Sequence, residues 1–359
     1  MGGGLPEMGW REAFAVAREA LHDTEGSPAR VVAVDRDRLL LSDGDGSFSA
    51  RLSGGYVFRH PDAAQWPCVG DWVLVVRGGD DGAGLVQAVL PRQSGLRRRG
   101  VGGAGAVQMI AANVDTVVIV MSCHFDFNVN RLERYLVMVR DGGAQPWVLL
   151  TKTDLVPSDE LASQLEQIRA ADIHAPVMTM SNLTQEGVDT LIERLAPGQT
   201  YCFVGSSGVG KSTLINRLLG QEAQLTAAVS HTGEGRHTTV RRELVRLSNG
   251  ALVIDNPGMR EFGLVDVEVG AGGSFGDITR RAEHCRFADC THAGEPGCAV
   301  QAAVEAGEID AGHFDNYRKL REESAFYDLS RVERRHKDKA FGKFVKSAKK
   351  THSRATDDD

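Results

Sequence analysis

One octapeptide limits the fold more than any other part of the chain. Gly205-Ser206-Ser207-Gly208-Val209-Gly210-Lys211-Ser212 fits G-x-x-x-x-G-K-[ST]. The strand-like run TYCFV precedes it and a helical run to Leu219 follows. Strand, glycine turn and helix in immediate succession form one unit of an α/β sheet. The glycines let backbone N–H groups curl around phosphate oxygens, and the helix N-terminus adds partial positive charge. Lys211 is expected to reach the β- and γ-phosphates, the Ser212 hydroxyl to ligate Mg²⁺, and Thr213 to line the same turn.

Further motifs fall at strand ends. Asp255-Asn256-Pro257-Gly258 follows ALVI, about 45 residues beyond the phosphate loop. Asp255 is the expected Mg²⁺ partner, and Gly258 would offer its N–H to the γ-phosphate. Between them lies SHTGEGRHTTV, whose glycines suit a switch loop. There Thr238 or Thr239 would feel the γ-phosphate, with Thr239 supplying a second Mg²⁺ hydroxyl. Thr151-Lys152-Thr153-Asp154 matches the guanine signature [NT]KxD, with Thr standing where Asn is commoner. The Asp154 carboxylate would accept from guanine N1–H and the 2-amino group, both missing from adenine, so such a site discriminates strongly. Lys152 would lay its stem over the ring. Ser181 and Asn182, about 26 residues on, occupy the place of the loop that reads the guanine oxygen.

The order of these motifs is unusual. Base-reading loops normally follow the phosphate loop, whereas here they precede it and Asp255–Gly258 comes last. The chain reads as circularly permuted, which such folds tolerate because their termini often lie close together. The run from 113 to 265 alternates strand and helix, as a doubly wound and mainly parallel sheet requires. The segment after Gly258 leads straight into the C-terminal region, so a γ-phosphate-dependent movement would be passed on directly.

Before this region, residues 9–22 have helical spacing. RVVAVDRDRLLLSD, SFSARLSG, GDWVLVVRG and GLVQAVL are short strand-like runs divided by Asp-Gly, Gly-Gly and Ser-Gly pairs. They predict a small closed barrel of SH3-like or OB type, for binding nucleic acid or for support. Residues 91–106, with four arginines among five glycines, read as a linker that is either merely flexible or orders on RNA.

Cys285, Cys290, His292 and Cys298 give three thiolates and an imidazole within 14 residues. Four such ligands suit structural Zn²⁺, which would staple a region with little apolar core of its own. Half of the six cysteines fall here, whereas Cys68, Cys123 and Cys202 stand apart, so a disulfide framework is not indicated. No apolar run reaches the length of a membrane span and no signal peptide is visible, so a cytoplasmic location is expected. The net charge of −7 hides an asymmetry. Residues 331–359 hold ten Lys/Arg against five Asp/Glu, leaving 31 against 43 elsewhere. A basic tail on an acidic body predicts a local contact with a polyanion.

With the order TKTD–SN–GSSGVGKS–GRHTT–DNPG, the strand GDWV, the run AANVD at Ala111–Asp115 and the Cys/His cluster, the sequence resembles the ribosome small subunit-dependent GTPase A family (RsgA, also called YjeQ). The resemblance implies three domains: an N-terminal OB-fold β-barrel, a central circularly permuted α/β P-loop GTPase domain, and a C-terminal, mainly helical zinc-binding domain. The corresponding spans are a helical extension over 1–27, the barrel over 28–95, a basic, glycine-rich linker over 96–106, the GTPase domain over 107–265 and the zinc and basic helical region over 266–359. It implies binding to the small ribosomal subunit late in assembly, slow GTP hydrolysis stimulated by that subunit, and release on hydrolysis. The family's nucleotide residues carry over to Thr151, Lys152, Asp154, Gly205–Ser212 and Asp255–Gly258. Its zinc ligands carry over to Cys285, Cys290, His292 and Cys298.

Many GTPases place a water-orienting Gln directly after DxxG, where this chain has Met259. His237, beside Thr238, is the local candidate for that task, with RNA contact or loop support as alternatives. The expected protein is a monomeric GTPase that uses Mg²⁺ with GTP and holds one structural zinc. The alternative is a GTP-gated RNA-binding scaffold whose hydrolysis is incidental.

Overall fold

The protein is described from a computed structural model over residues 4–35, 38–62, 65–78, 83–99, 107–226, 242–255 and 275–328. The chain begins with a 3₁₀ turn at Pro6–Met8 and helix α1 (Glu12–Glu19), shorter than the helical spacing predicts. A barrel follows, made of β1 (Ser27–Asp35), β2 (Arg38–Ser42), β3 (Ser47–Leu52), helix α2 (Gly54–Arg59), β4 (Trp72–Val76) and β5 (Gly84–Val89). Strands β1, β2 and β3 form an antiparallel meander. Then β3 pairs parallel with β5, β5 pairs antiparallel with β4, and β4 closes on β1. That closure, with a helix between β3 and β4, decides for the OB type over the SH3-like one.

The barrel wall is buried on both sides, which explains the unbroken apolar run in β1. Ala29 and Val31 fill the interior with Leu41, Val73 and Val86. Val32 and Trp72 belong instead to a larger core shared with the rest of the chain. The Trp10 ring meets Trp72 edge-on at 4.7 Å between centroids, and Phe14 lies 5.8 Å away, so the N-terminal segment caps this wall.

Part of the expected linker is ordered structure. Strands β6 (Gly95–Arg99) and β7 (Val107–Ala112) form an antiparallel ribbon. Leu96 is buried, and Gly95 N–H donates to Gly142 O at 2.8 Å. Backbone pairing, the Leu96 anchor and the ion pair of Arg97 with Asp141 at 2.8 Å hold this stretch. Residues 100–106 lie outside the described residues.

The remaining strands are β8 (Thr116–Ser122), β9 (Gln145–Thr151), β10 (Val177–Met180), β11 (Thr200–Val204), β12 (Glu243–Arg246) and β13 (Leu252–Asp255). Their spatial order is β10-β9-β8-β11-β13-β12. All neighbours are parallel except β12, which runs antiparallel to β13 and was not read from the sequence. Helices α3 (Val129–Asp141), α4 (Ser158–Ala170), α5 (Val188–Arg194) and α6 (Lys211–Thr226) supply the connections. Every residue of β8 is buried, as a central strand covered on both faces must be. The C-terminal region contributes α7 (Gly276–Ala282), α8 (Ala299–Glu305) and α9 (Ala311–Asp328).

Barrel and sheet meet at Arg30, which is 1% exposed. Its guanidinium donates to Gly70 O at 3.2 Å, Asn113 O at 3.0 Å, Thr200 Oγ1 at 2.9 Å and Met8 O. Burial lowers its pKa to about 10, which still leaves it charged at neutral pH. Gly70, with φ of +93°, brings its backbone so close that a Cβ would stand 2.0 Å from Ala112 O. This explains why a glycine opens the GDWV strand.

Candidate functional site

The phosphate loop leaves β11, the strand at which the chain, having wound from β8 outward to β10, crosses back to build the other half of the sheet. β8 lies on one side of it and β13 on the other. Ligands of open α/β sheets bind at the carboxyl ends of strands at such a switch point. Gly205 has φ of +142°, and a Cβ there would stand 2.1 Å from Val120 O of β8. Only glycine allows the loop to leave the strand at this closeness. Ser206, Ser207, Gly208, Val209 and Gly210 complete the turn, and Lys211, Ser212 and Thr213 open α6. Lys211 Nζ donates to Gly205 O at 2.7 Å and Ser206 O at 2.5 Å, folding the ammonium over the loop. Burial lowers its pKa, opposed by the charge of Asp126.

The residues expected from the sequence to read the base converge on the same end of the sheet. Thr151 ends β9 fully buried, and its hydroxyl faces two acceptors, Met121 O at 3.1 Å and Val209 O at 2.6 Å. The hydroxyl thus ties β9 to β8 and to the phosphate loop, work for which the commoner Asn is not needed. Lys152 turns the chain with φ of +60°. The next turn, Thr153–Leu155, carries Asp154, whose carboxylate accepts from Ser181 Oγ. Ser181 Oγ in turn accepts from the N–H groups of Leu183 and Thr184, both at 3.1 Å. The Ser181 hydroxyl therefore links its own loop to the Asp154 carboxylate. Asn182 Nδ2 donates to Gly210 O at 3.2 Å, locking this loop to the phosphate loop.

Sequence reasoning missed Arg217, which donates to Asn182 O at 3.2 Å from α6. Its only signal is a lone Arg two turns along the helix that follows the phosphate loop. Asp255 ends β13, whose register with β11 (Cys202 opposite Ile254) sets the two strand ends side by side. His237, Thr238, Thr239, Gly258 and the basic tail 331–359 lie outside the described residues.

The second constellation is local. The Cys285, Cys290, His292 and Cys298 ligand atoms all lie within 4.8 Å of one another. Cys285 Sγ is 3.9 Å from Cys298 Sγ and 3.7 Å from His292 Nδ1, and His292 Nδ1 is 3.4 Å from Cys298 Sγ. A tetrahedron with Zn–S of about 2.3 Å and Zn–N of about 2.0 Å has edges of roughly 3.5–3.8 Å, so the donor set fits. Burial raises the Cys285 thiol pKa, but the N–H groups of Val300 and Ala299 at the start of α8 outweigh it and favour the thiolate. Burial, with Arg321, lowers the His292 pKa and so keeps the imidazole neutral, the form that binds metal. Among the described residues this is the one cluster of its kind.

The metal region docks onto α3. His313 of α9 forms ion pairs with Glu133 of α3 and with Asp277 of α7, the latter at 3.1 Å. Asn316 adds bonds to Glu133 at 2.7 Å and to Asn130 O at 3.1 Å. Burial would lower the His313 pKa, yet the two carboxylates push it up to about 10. No helix among the described residues is long and apolar enough to cross a membrane.

Comparison with known proteins identifies the family and the fold. The sequence model of the RsgA GTPase family matches residues 89–265. A "Small ribosomal subunit biogenesis GTPase RsgA" of Opitutus terrae is 42% identical over 332 residues, 90% of each chain. A relative from Vibrio parahaemolyticus, "Small ribosomal subunit biogenesis GTPase RsgA 2", is 40% identical over 96% of this chain and 92% of its own. The crystal structure of YjeQ from Thermotoga maritima is similar at a TM-score of 0.60 and 26% identity, covering 83% of this chain and 98% of that one. YloQ, described as a circularly permuted GTPase, is similar at 0.58 and 26%, over 86% of this chain and 98% of its own. With an OB-type barrel, a permuted α/β domain and a Cys₃His cluster in this order, the chain belongs to the RsgA GTPase family.

Proposed function

We propose that the protein is a GTP hydrolase of small ribosomal subunit biogenesis, triggered by the subunit itself. The observation that carries this reading is the convergence of Lys211, Asp154 and Ser181 at one end of a permuted sheet. The extended likeness to relatives named for this role supports it.

In this reading Asp154 takes guanine N1–H and the 2-amino group, with Ser181 holding the carboxylate in place. The Asn182 loop reads the guanine oxygen, and Lys152 covers the ring. Thr151 positions rather than touches the nucleotide. Backbone N–H groups of Gly205–Gly210 and the Lys211 ammonium neutralise the phosphates, which is most of what phosphoryl transfer asks of a protein. Ser212, Thr239 and Asp255 would hold Mg²⁺, which would offset the negative charge of the phosphates. Thr238 and Gly258 sense the γ-phosphate, and His237 orients the attacking water.

Cys285, Cys290, His292 and Cys298 hold one structural Zn²⁺ that fixes the turn before α8. The division into a barrel over 28–95, a GTPase domain over 107–265 and a zinc region over 266–359 belongs to the same reading. The basic residues of 331–359 lie against ribosomal RNA, and the protein works as a cytoplasmic monomer.

The test is GTP turnover by the purified protein alone, with small subunits and with large subunits, using Lys211→Ala as control. Stimulation by small subunits only, abolished by the substitution, is expected. Nucleotide binding without stimulation would favour a GTP-gated scaffold instead.

A further inference from the structure

Phe125 stands three residues beyond β8, in the turn before α3. Its side chain is 56% exposed. A phenyl ring left this open gains from anything apolar that covers it. Its surroundings belong to two loops of the nucleotide site. The ring Cζ lies 3.7 Å from where a Cβ on Gly208 would stand. The Lys152 ammonium sits 4.5 Å from the ring centroid, and His124 meets the ring at 6.4 Å in an edge-on arrangement. An aromatic face at this distance attracts a cation. Lys152 is therefore held from both ends, by its left-handed backbone and by the Phe125 ring.

The geometry points to Phe125 as a positioning residue for the nucleoside half of the nucleotide: it fixes the Lys152 stem and offers its open face beside the sugar and base. This inference rests on the nucleotide reading above. The class of ligand follows from the ring itself. It has no hydrogen-bond donor, and its face carries negative quadrupole charge, so it suits a sugar edge or purine and not a phosphate. Its place between Lys152 and Gly208 puts it where the base-reading turn meets the phosphate loop. The sequence motifs do not include it, because it falls in a turn between a strand and a helix.

The test is equilibrium binding of GDP, GTP and inorganic tripolyphosphate to the full chain and to Phe125→Ala, Phe125→Leu, Phe125→Trp and Lys211→Ala. Phe125→Ala is expected to weaken GDP and GTP by the same factor, roughly five- to twentyfold, and to leave tripolyphosphate unchanged. Phe125→Leu keeps an apolar wall but no π face and should fall between. Phe125→Trp should bind as well as the parent or better, with indole fluorescence that shifts on adding GDP. The thermal midpoints of the nucleotide-free variants should match that of the parent, since the ring is largely exposed. GDP binding by Phe125→Ala equal to that of the parent, or a loss explained by a fallen midpoint, would overturn the inference and leave the nucleotide reading standing. Failure of the parent chain itself to bind GDP or GTP would overturn both.

Discussion

The two constellations are built in opposite ways. The candidate metal centre draws its four donors from 14 successive residues, and a turn before a short helix suffices to gather them. The proposed nucleotide site draws on the ends of β9, β10, β11 and β13, and only the strand order gathers those. A local site depends on what fills it, whereas a dispersed one depends on the sheet. The first should therefore fail as a unit when its ion is lost. The second should fail residue by residue while the sheet survives.

The sharpest way to break this contrast is Cys290→Ser or a strong chelator. Structural zinc sites are worth on the order of 10 kcal/mol or more of apparent binding energy, which would be folding energy in the proposed site. Metal analysis should fall from one ion per chain to near none. Amide exchange should rise over 275–328 while nucleotide affinity stays within about twofold. Unchanged exchange there would mean that the region folds without metal.

Next in size is Asp154→Asn. Losing two hydrogen bonds to a charged acceptor should cost GTP affinity roughly 10²- to 10³-fold, with the thermal midpoint of the nucleotide-free protein nearly unchanged. Xanthosine triphosphate, with a carbonyl in place of the 2-amino group, should bind this variant better than the parent. An equal loss for both nucleotides would remove Asp154 from the base contact.

The junction between the two regions gives a smaller, pH-dependent effect. His313 has its pKa raised from 6.5 to about 10 by Asp277 and Glu133. A raised pKa stabilises the folded state fully below about 6.5, and this contribution is lost as pH rises through about 10. The midpoint should fall by roughly 5 °C across that window relative to His313→Gln, which cannot titrate. Parallel curves for the two proteins would show that the pair does not clamp α9 to α3.

The smallest effect is expected for Thr151→Val. It removes the one hydroxyl proton available to Val209 O at 2.6 Å or Met121 O at 3.1 Å, at a cost of about 1–2 kcal/mol. Nucleotide affinity should drop a fewfold, and Thr151→Asn should restore it. If affinity is untouched, the loops are held without this tie.

Much of this was legible in the residues. The phosphate loop, TKTD and the Cys/His cluster each carry their chemistry at fixed spacing, because glycine turns, strand ends and metal ligands tolerate few alternatives. The buried strands β8, β9 and β11 announced themselves as apolar runs. By contrast, β12 is only four residues long with a mixed pattern, so it was invisible until β13 supplied its partner. The arginines of β6 suggested a linker, because pairing with β7 leaves no trace in composition.

The sequence by itself determined which chemistry the chain is expected to carry: a turn suited to phosphate, a carboxylate suited to guanine, four residues able to hold a metal and the permuted order of the motifs. Tertiary structure decided how those parts are held. It closed the barrel through the parallel pairing of β3 with β5, which no local pattern encodes. It buried Arg30 where barrel, sheet and N-terminal segment meet, supplying acceptors from residues up to 170 positions away. It also set Thr151 under Val209, Asn182 against Gly210 and Phe125 beside Lys152. The physical reason is that motif chemistry resides in short stretches whose backbone must take one shape. Packing and hydrogen-bond satisfaction are properties of neighbours that only the folded sheet brings together.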